Sequence, residues 1–321
     1  MDFPSPRVFI SKCLGFESCR YNGQTILDPV VKRLVPHVEC ITACPEVEIG
    51  LGVPRQPVRL VESGEDKVLF QPATGREVTA EMSAFTSAFF DNISVLDGFI
   101  LKSRSPSCGP WQVKSYNSMK AQSSMAKGRG IFGGYVVDAY PGYPIEDEGR
   151  LRNFTIREHF FTSLFTLTRF REVKQEASMR GLVDFHTRAK LLFMAYNQEI
   201  MRELGKITAN HDQLDLEEML ERYETRLRSL FSEPPRFTNM INAFQHAFGG
   251  LSENLLPKER EFFLNSLEEY RDERIPAGTI IHLLVSWAIR FDNQYLLDQY
   301  LMAPYPPELV EITDSGKGRS Y

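Results

Sequence analysis

Beyond Cys108 the sequence has no further cysteine: Cys13, Cys19, Cys40, Cys44 and Cys108 all fall in the first third of its 321 residues. An odd number, bunched in this way, argues against a disulfide framework and leaves either buried thiols or metal and thiol chemistry. Long hydrophobic runs are also lacking. The longest apolar stretch, Thr279 to Ile289, is broken by His282 and falls far short of a membrane span. The opening residues Met1 to Pro6 hold neither a basic nor an apolar segment, so no secretory leader is expected and the protein is read as cytoplasmic, with no membrane contact. A third deficit is local. Between Gly98 and Val137 there is no Asp or Glu, while Lys102, Arg104, Lys114, Lys120, Lys127 and Arg129 lie inside that window. In a chain of net charge −5 this is a local positive field, aimed at a negative partner or answered by acidic neighbours elsewhere in the fold.

What is present reads as globular. Hydrophobic residues make up 42% and charged residues 25%, which excludes wholesale disorder. The length allows two domains, each with its own core. The first part alternates short apolar strands (7–11, 37–42, 98–101 and 134–138) with helical patterns at 26–34 and 79–92. A hairpin is expected from 58–60 and 68–71, around 62–66. The alternation implies an α/β domain over 1–150 with a mostly parallel sheet. After the turn-rich Tyr140 to Tyr143 and the acidic Glu146 to Glu148, strand signals stop. Helical periodicity then covers about 155–172, 181–207, 215–231, 236–250, 258–274 and 277–301, an all-α domain over 151–321. The polar stretch Asp314 to Ser320 is expected to lack order.

Cys13, Cys44 and Cys108 each follow a strand, and ligands of an open parallel sheet bind beyond the carboxyl ends of its strands. Thiolates from three such loops can hold a metal or a cluster. The spacings Cys13-x5-Cys19 and Cys40-x3-Cys44 do not match the close pairs of structural zinc. Three thiolates would leave one iron of a cubane without a protein ligand, a Lewis acid suited to sulfur. The other reading is a set of small buried hydrophobes.

These segments resemble the thiouracil desulfidase family. The resemblance is carried by Ser11-Lys12-Cys13-Leu14-Gly15, Cys19-Arg20-Tyr21-Asn22-Gly23, Cys44-Pro45-Glu46 with Gly50, Gly52, Pro54 and Arg55, and Lys102 through Gly109. It implies a 4Fe–4S cluster on Cys13, Cys44 and Cys108, and non-redox removal of sulfur as hydrosulfide, taken up by the open iron. It also implies catalytic roles for Glu46 and Ser105, and leaves Cys19 and Cys40 outside the ligand set. Val183 through Ala195, Gln245 through Gly250, and Tyr270-Arg271 are similar to a helical domain fused to desulfidases that act on 4-thiouridine in transfer RNA. On the residues alone, Glu46 also fits a carboxylate at a helix N-terminus, and Ser105 a turn former, an orienting group or a nucleophile.

Segment 150–190 has nine Lys or Arg against four acids, so the basic character continues. Lys114, Lys120, Arg129, Arg152 and Arg157 are candidates to line a groove for RNA phosphates. Trp111, Tyr116 and Phe132 are candidates to stack on a flipped base, although aromatics more often form core. His186, Arg188 and Lys190 share a helical stretch and read as a solvated face or a phosphate contact. Gly128 to Gly133 fits G-x-G-x-x-G but is expected to precede a strand, so a dinucleotide site is rejected. The leading function is desulfuration of 4-thiouridine in transfer RNA. The alternatives are a desulfidase of free thiouracil or thiolated nucleosides, and a non-catalytic iron–sulfur nucleic-acid sensor.

Overall fold

The computed structural model describes residues 2–63, 66–119 and 126–311; Lys120 and the stretch from Asp314 lie outside them. Two compact units form, one from Ser5–Phe160 with the segment from Glu308, the other from Phe161–Pro307 with the opening residues through Pro4. Among the described residues no helix is long and apolar enough to cross a membrane.

The first unit begins with β1 (Arg7–Ser11), α1 (Pro29–Leu34), β2 (Glu39–Ala43) and α2 (Pro45–Glu48). There follow β3 (Arg59–Ser63), β4 (Asp66–Gln71), β5 (Arg76–Glu77), α3 (Thr79–Asp91) and β6 (Gly98–Leu101). It ends with β7 (Val113–Tyr116), β8 (Ala126–Gly128), α4 (Ile131–Ala139) and β9 (Ile145–Asp147). A four-stranded sheet runs β2-β1-β6-β9, parallel throughout. Its central strands are unbroken apolar runs, Val8-Phe9-Ile10 and Phe99-Ile100-Leu101, because both faces are covered. A second sheet, β5-β4-β3-β7-β8, is antiparallel except between β3 and β7. Its β3–β4 pair is the expected hairpin; β5, β7, β8 and β9 carry too few apolar residues to announce themselves.

Two expectations need correction here. Helix α1 starts at Pro29, not Ile26, because Asp28 caps it: Oδ1 accepts from the amides of Val30 (3.0 Å) and Val31 (3.1 Å). The stretch 134–138 is not a strand but part of α4. Its Val136-Val137 pair favours a strand by propensity, yet Phe132 and Val136, one helical turn apart, fill the core beside Phe9, Phe90 and Phe99. The Phe9 and Phe132 rings lie 5.2 Å apart.

Helix α5 (Phe154–Glu176) starts before the second unit begins at Phe161, and it is followed by α6 (Met179–Tyr196), α7 (Gln198–Ala209), α8 (Leu216–Leu230) and α9 (Phe237–Gly249). Then come α10 (Pro257–Arg271), α11 (Ala277–Arg290) and α12 (Gln294–Leu297). The single helix expected over 181–207 is two: Asn197 takes an extended conformation and its Oδ1 caps α7 through the amides of Glu199 (2.9 Å) and Ile200 (3.1 Å). The helix expected over 277–301 breaks likewise at Asp292, whose φ is 52°.

His186 is not a phosphate contact. Its Nδ1 lies 3.0 Å from the Tyr223 hydroxyl in the helical core, while Arg188 packs over the Tyr300 ring. Burial, with Lys190 adding to it, lowers its pKa from 6.5 to about 4. The unfolded chain therefore takes up a proton here before the folded one does. Stability from this site is complete above pH 6.5 and is lost as pH falls towards 4. Wild type should lose about 1–2 kcal/mol more than His186→Gln between pH 7 and pH 4, read from urea midpoints by circular dichroism. Equal losses in the two proteins would refute a neutral buried His186.

Candidate functional site

Three of the four loops that follow the strands of the parallel sheet bring thiols together. Cys13 follows β1, Cys44 follows β2 as the N-cap residue of α2, and Cys108 lies on the loop after β6. Gly15, with φ of 100°, turns the first loop back so that the Ile26 amide donates to the Cys13 carbonyl at 2.8 Å. The same loop carries Cys19, whose side chain reaches both the Cys13 and the Cys44 thiols. Cys40 is on β2 itself, half-buried, and apart from this group.

The third loop is tied down from three sides. Ser105 Oγ accepts the amides of Ser107 (3.2 Å) and Cys108 (3.0 Å). Gly130 and Gly133 let the start of α4 lie directly on it, where a Cβ at either position would collide with the Ser107 or Cys108 carbonyl. The Gly130 and Gly133 amides donate to Gly109 (2.8 Å) and Ser107 (3.0 Å) carbonyls, so the loop satisfies helix donors that would otherwise be orphaned. G-x-G-x-x-G does join a strand, β8, to a helix, which removes the reason given for rejecting a dinucleotide site. Its last two glycines are instead occupied by packing on the Cys108 loop. Behind, buried Glu148 holds Lys102 and accepts from the Ser103 amide and hydroxyl, both at 2.7 Å.

Glu46 stands between these loops. It lies in the first turn of α2, and its carboxylate accepts from Arg55 Nε (2.7 Å) and Ser107 Oγ (2.8 Å). Arg55 reaches further, with Nη1 donating to the Cys19 (2.9 Å) and Gly52 (3.0 Å) carbonyls and Nη2 3.9 Å from Cys44 Sγ. Sequence reasoning gives Arg55, Ser107 and Ser11 no role of their own. Only their membership of the motif segments marks them; no spacing rule selects Ser107 over Ser105 two residues earlier.

Cys19, Cys44 and Cys108 hold their protons tightly. The hydrogen bond to Cys13, followed by burial, pushes Cys19 up to about 11. The hydrogen bond that Cys44 gives to Cys19, followed by burial, raises Cys44. Burial, with the charges of Cys44 and Glu46, raises Cys108, against hydrogen bonds from Ser11 and Ser105. Buried thiols of this kind become thiolates when a cation takes the place of their protons. Among the described residues no three His, Cys, Asp or Glu side chains are gathered around one point as a single ion requires. The donor set is soft, thiol-only and spread over separate loops, which fits a multinuclear iron–sulfur group better than a lone ion.

A family model described as 2-thiouracil desulfurase matches residues 8–148, and one described as a protein of unknown function, DUF1722, matches 190–306. The uncharacterized protein YbbK of Bacillus subtilis is 30% identical over 154 residues, 46% of this chain and 98% of that protein. The chain belongs to the 2-thiouracil desulfurase family. It is an enzyme, a thiouracil desulfidase, with a DUF1722 helical region behind the desulfurase part. The uncharacterized protein YbgA of Escherichia coli is 24% identical over 155 residues, 48% of this chain and 91% of that protein. A solved structure described as the 4Fe–4S-dependent thiouracil desulfidase TudS is 27% identical and covers 46% of this chain and 93% of that one, with a TM-score of 0.38.

Most of the described basic candidates have partners of their own. Arg157 is 2% exposed and donates to the Leu151 (2.8 Å) and Glu311 (2.5 Å) carbonyls, so it is structural. Arg129 pairs with Asp138 at 2.7 Å and covers Trp111, and Arg152 lies 3.8 Å from Asp28. Phe132 is wholly buried, which removes it as a base-stacking surface, and Tyr116 lies under Arg59. Lys114 remains exposed on β7, directly opposite Lys127 on β8.

Removing Arg55 leaves Glu46 buried and unpaired. Arg55→Ala should cost about 3–5 kcal/mol of stability, against about 1–2 for Ser107→Ala, and adding Glu46→Gln to Arg55→Ala should recover much of the loss. Urea unfolding of the four proteins tests this; equal costs for the two single variants would show that the ion pair does not anchor the site.

Proposed function

We propose that this desulfidase holds a 4Fe–4S cluster on Cys13, Cys44 and Cys108 and removes the sulfur of a thiolated pyrimidine as hydrosulfide, without net redox change. The observation that carries the reading is the meeting of three strand-end thiols with a carboxylate, Glu46, hydrogen-bonded to the Cys108 loop. When bound, such a cluster supplies an iron that lacks a protein ligand and acts as a Lewis acid for sulfur. Glu46 takes the proton of the water that attacks the ring carbon. Its oxygens each accept one hydrogen bond, from Arg55 and Ser107, and each keeps a further lone pair for that proton. The two anchors fix the direction of those lone pairs. Ser105 uses its oxygen to accept the Ser107 and Cys108 amides, and its hydroxyl proton is the group left to orient substrate or water.

The substrate class is the thiolated uracil ring, and 4-thiouridine within transfer RNA is the second reading. Lys114 and Lys127 support it. They face each other across β7–β8, with Lys127 Nζ donating to Gln112 Oε1 at 2.6 Å, and set two like charges side by side where a phosphate would be attracted to both. The similar protein TudS is itself described as a thiouracil desulfidase.

Anaerobic reconstitution is the test. Cys13→Ala, Cys44→Ala and Cys108→Ala should each fail to take up iron and sulfide, and Cys40→Ala should load normally. Glu46→Ala should keep the cluster and lose turnover by two to four orders of magnitude, roughly the range for a lost general base. Full loading in any of the first three, or an unimpaired Glu46→Ala, overturns the assignment. Rates on free thiouracil, the thiolated nucleoside and transfer RNA over a salt series separate the substrates. An RNA substrate predicts a steep salt dependence that Lys114→Ala with Lys127→Ala flattens by about two units.

A further inference from the structure

In the loops around the site the backbone turns left-handed at Gly15, Gly23, Gly50 and Gly52, and glycine adopts that conformation without a Cβ clash. Two residues with long side chains do the same, Arg104 with φ of 57° and Gln112 with φ of 56°. Both keep a side chain where the backbone favours none. Gln112 shows the use of its own, since Oε1 accepts from Lys127 Nζ at 2.6 Å. Arg104 is different. It is exposed, and no described residue gives it a hydrogen bond or an ion pair. The cations to either side are answered, Lys102 by Glu148 and Arg129 by Asp138.

The turn that presents Arg104 is pinned at both ends. The Ser105 amide donates to the Lys102 carbonyl at 3.4 Å, and Ser103 gives its amide and hydroxyl to Glu148, both at 2.7 Å. Ser105 Oγ in turn accepts the Ser107 and Cys108 amides. Arg104 is the third residue of this four-residue turn, a position that glycine or asparagine usually fills. Its backbone is thereby fixed next to Ser105, the residue whose hydroxyl proton is left to orient substrate or water. A guanidinium held at such an apex suits an anion, because its planar fork of donors matches the oxygens of a phosphate. No Asp or Glu lies between Gly98 and Val137 to compete for it from its own segment. The thiouracil ring carries no such group. A thiolated nucleotide does, as the phosphate on its own ribose or as a phosphate of the RNA strand. We propose that Arg104 is a specificity-determining residue that binds the phosphate of the nucleotide carrying the thiolated ring and so ranks nucleotide above free base. The inference rests on the reading of Glu46 and Ser105 as the groups that meet the ring, and it adds the part of the substrate that the reaction leaves untouched.

The experiment compares wild type, Arg104→Gly and Arg104→Lys, each loaded anaerobically and checked for iron content. Glycine keeps the left-handed turn and removes the guanidinium; lysine keeps the charge and loses the fork. Rates are measured on 4-thiouridine, on its 5′-monophosphate and on transfer RNA containing 4-thiouridine. Calorimetric titration of the loaded proteins with uridine 5′-monophosphate and with uridine gives a readout apart from turnover. In Arg104→Gly the ratio of kcat/KM on a phosphorylated substrate to that on the nucleoside should fall about 10- to 100-fold, chiefly through KM, as for a lost hydrogen bond between charged groups. Arg104→Lys should lose less. Wild type should bind the monophosphate more tightly than uridine, and Arg104→Gly should bind the two alike. Because glycine relieves the backbone, Arg104→Gly should melt no lower than wild type, whereas a merely structural arginine predicts a lower melting temperature with unchanged ratios. A fall confined to the monophosphate assigns Arg104 to the phosphate on the ribose, and a fall confined to transfer RNA assigns it to the strand. Unchanged ratios on both phosphorylated substrates would overturn the role of Arg104 and leave the desulfidase site intact. A loaded wild type that desulfurates none of the three substrates would overturn the reading of the site itself.

Discussion

The Glu46–Arg55 ion pair is the interaction on which the rest of the site depends. The two side chains are almost wholly removed from water, at 12% and 4% exposure, and each is satisfied by more than the other. Glu46 reaches the Cys108 loop through Ser107, and Arg55 reaches the Cys19 carbonyl and the Cys44 thiol. A buried pair of this kind is weak evidence for stability, since taking two charges out of water costs several kcal/mol per ion. Its effect is positional. Segments that are distant in the sequence share one charge centre, and moving any of them leaves a buried ion short of a partner.

Around that centre the supports are backbone-level. The start of α4 donates its amides to the Cys108 loop, Ser105 closes the loop internally, and Glu148 holds its base through Lys102 and Ser103. A thiol-rich site needs this rigidity, because cysteine side chains contribute little orientation of their own. The basic character that the sequence shows between Gly98 and Val137 is partly absorbed by the same supports, with Lys102 answered by Glu148 and Arg129 by Asp138.

Much of this is legible in the order of the residues. The parallel sheet declares itself through apolar runs bounded by turns, and the three strand-end cysteines through their position alone. The residues that hold the site do not. Arg55, Ser107 and Ser11 act through contacts across 9, 61 and 91 positions, and no periodicity records such pairings. Stretch 134–138 misleads because its β-branched propensity masks the four-residue interval between Phe132 and Val136, and tertiary packing decides for helix. In the helical unit the periodicity is a sound guide but the breaks leave no mark in it. One capping side chain at Asn197 and one left-handed residue at Asp292 end a helix without any proline or glycine to flag the place.

The order of the strands bears on how the protein is made. Strand β1 emerges from the ribosome before β2 and β6 but sits between them, and Cys108, on the loop after β6, lies 95 positions after Cys13 in the sequence. The loop of that later cysteine is in turn seated only when Gly130 and Gly133 have arrived. Until then the nascent chain carries unassembled thiols. A cofactor delivered early would find an incomplete set of donors. Insertion is timed by topology, and the chain up to α4 must be in place before the site can receive anything.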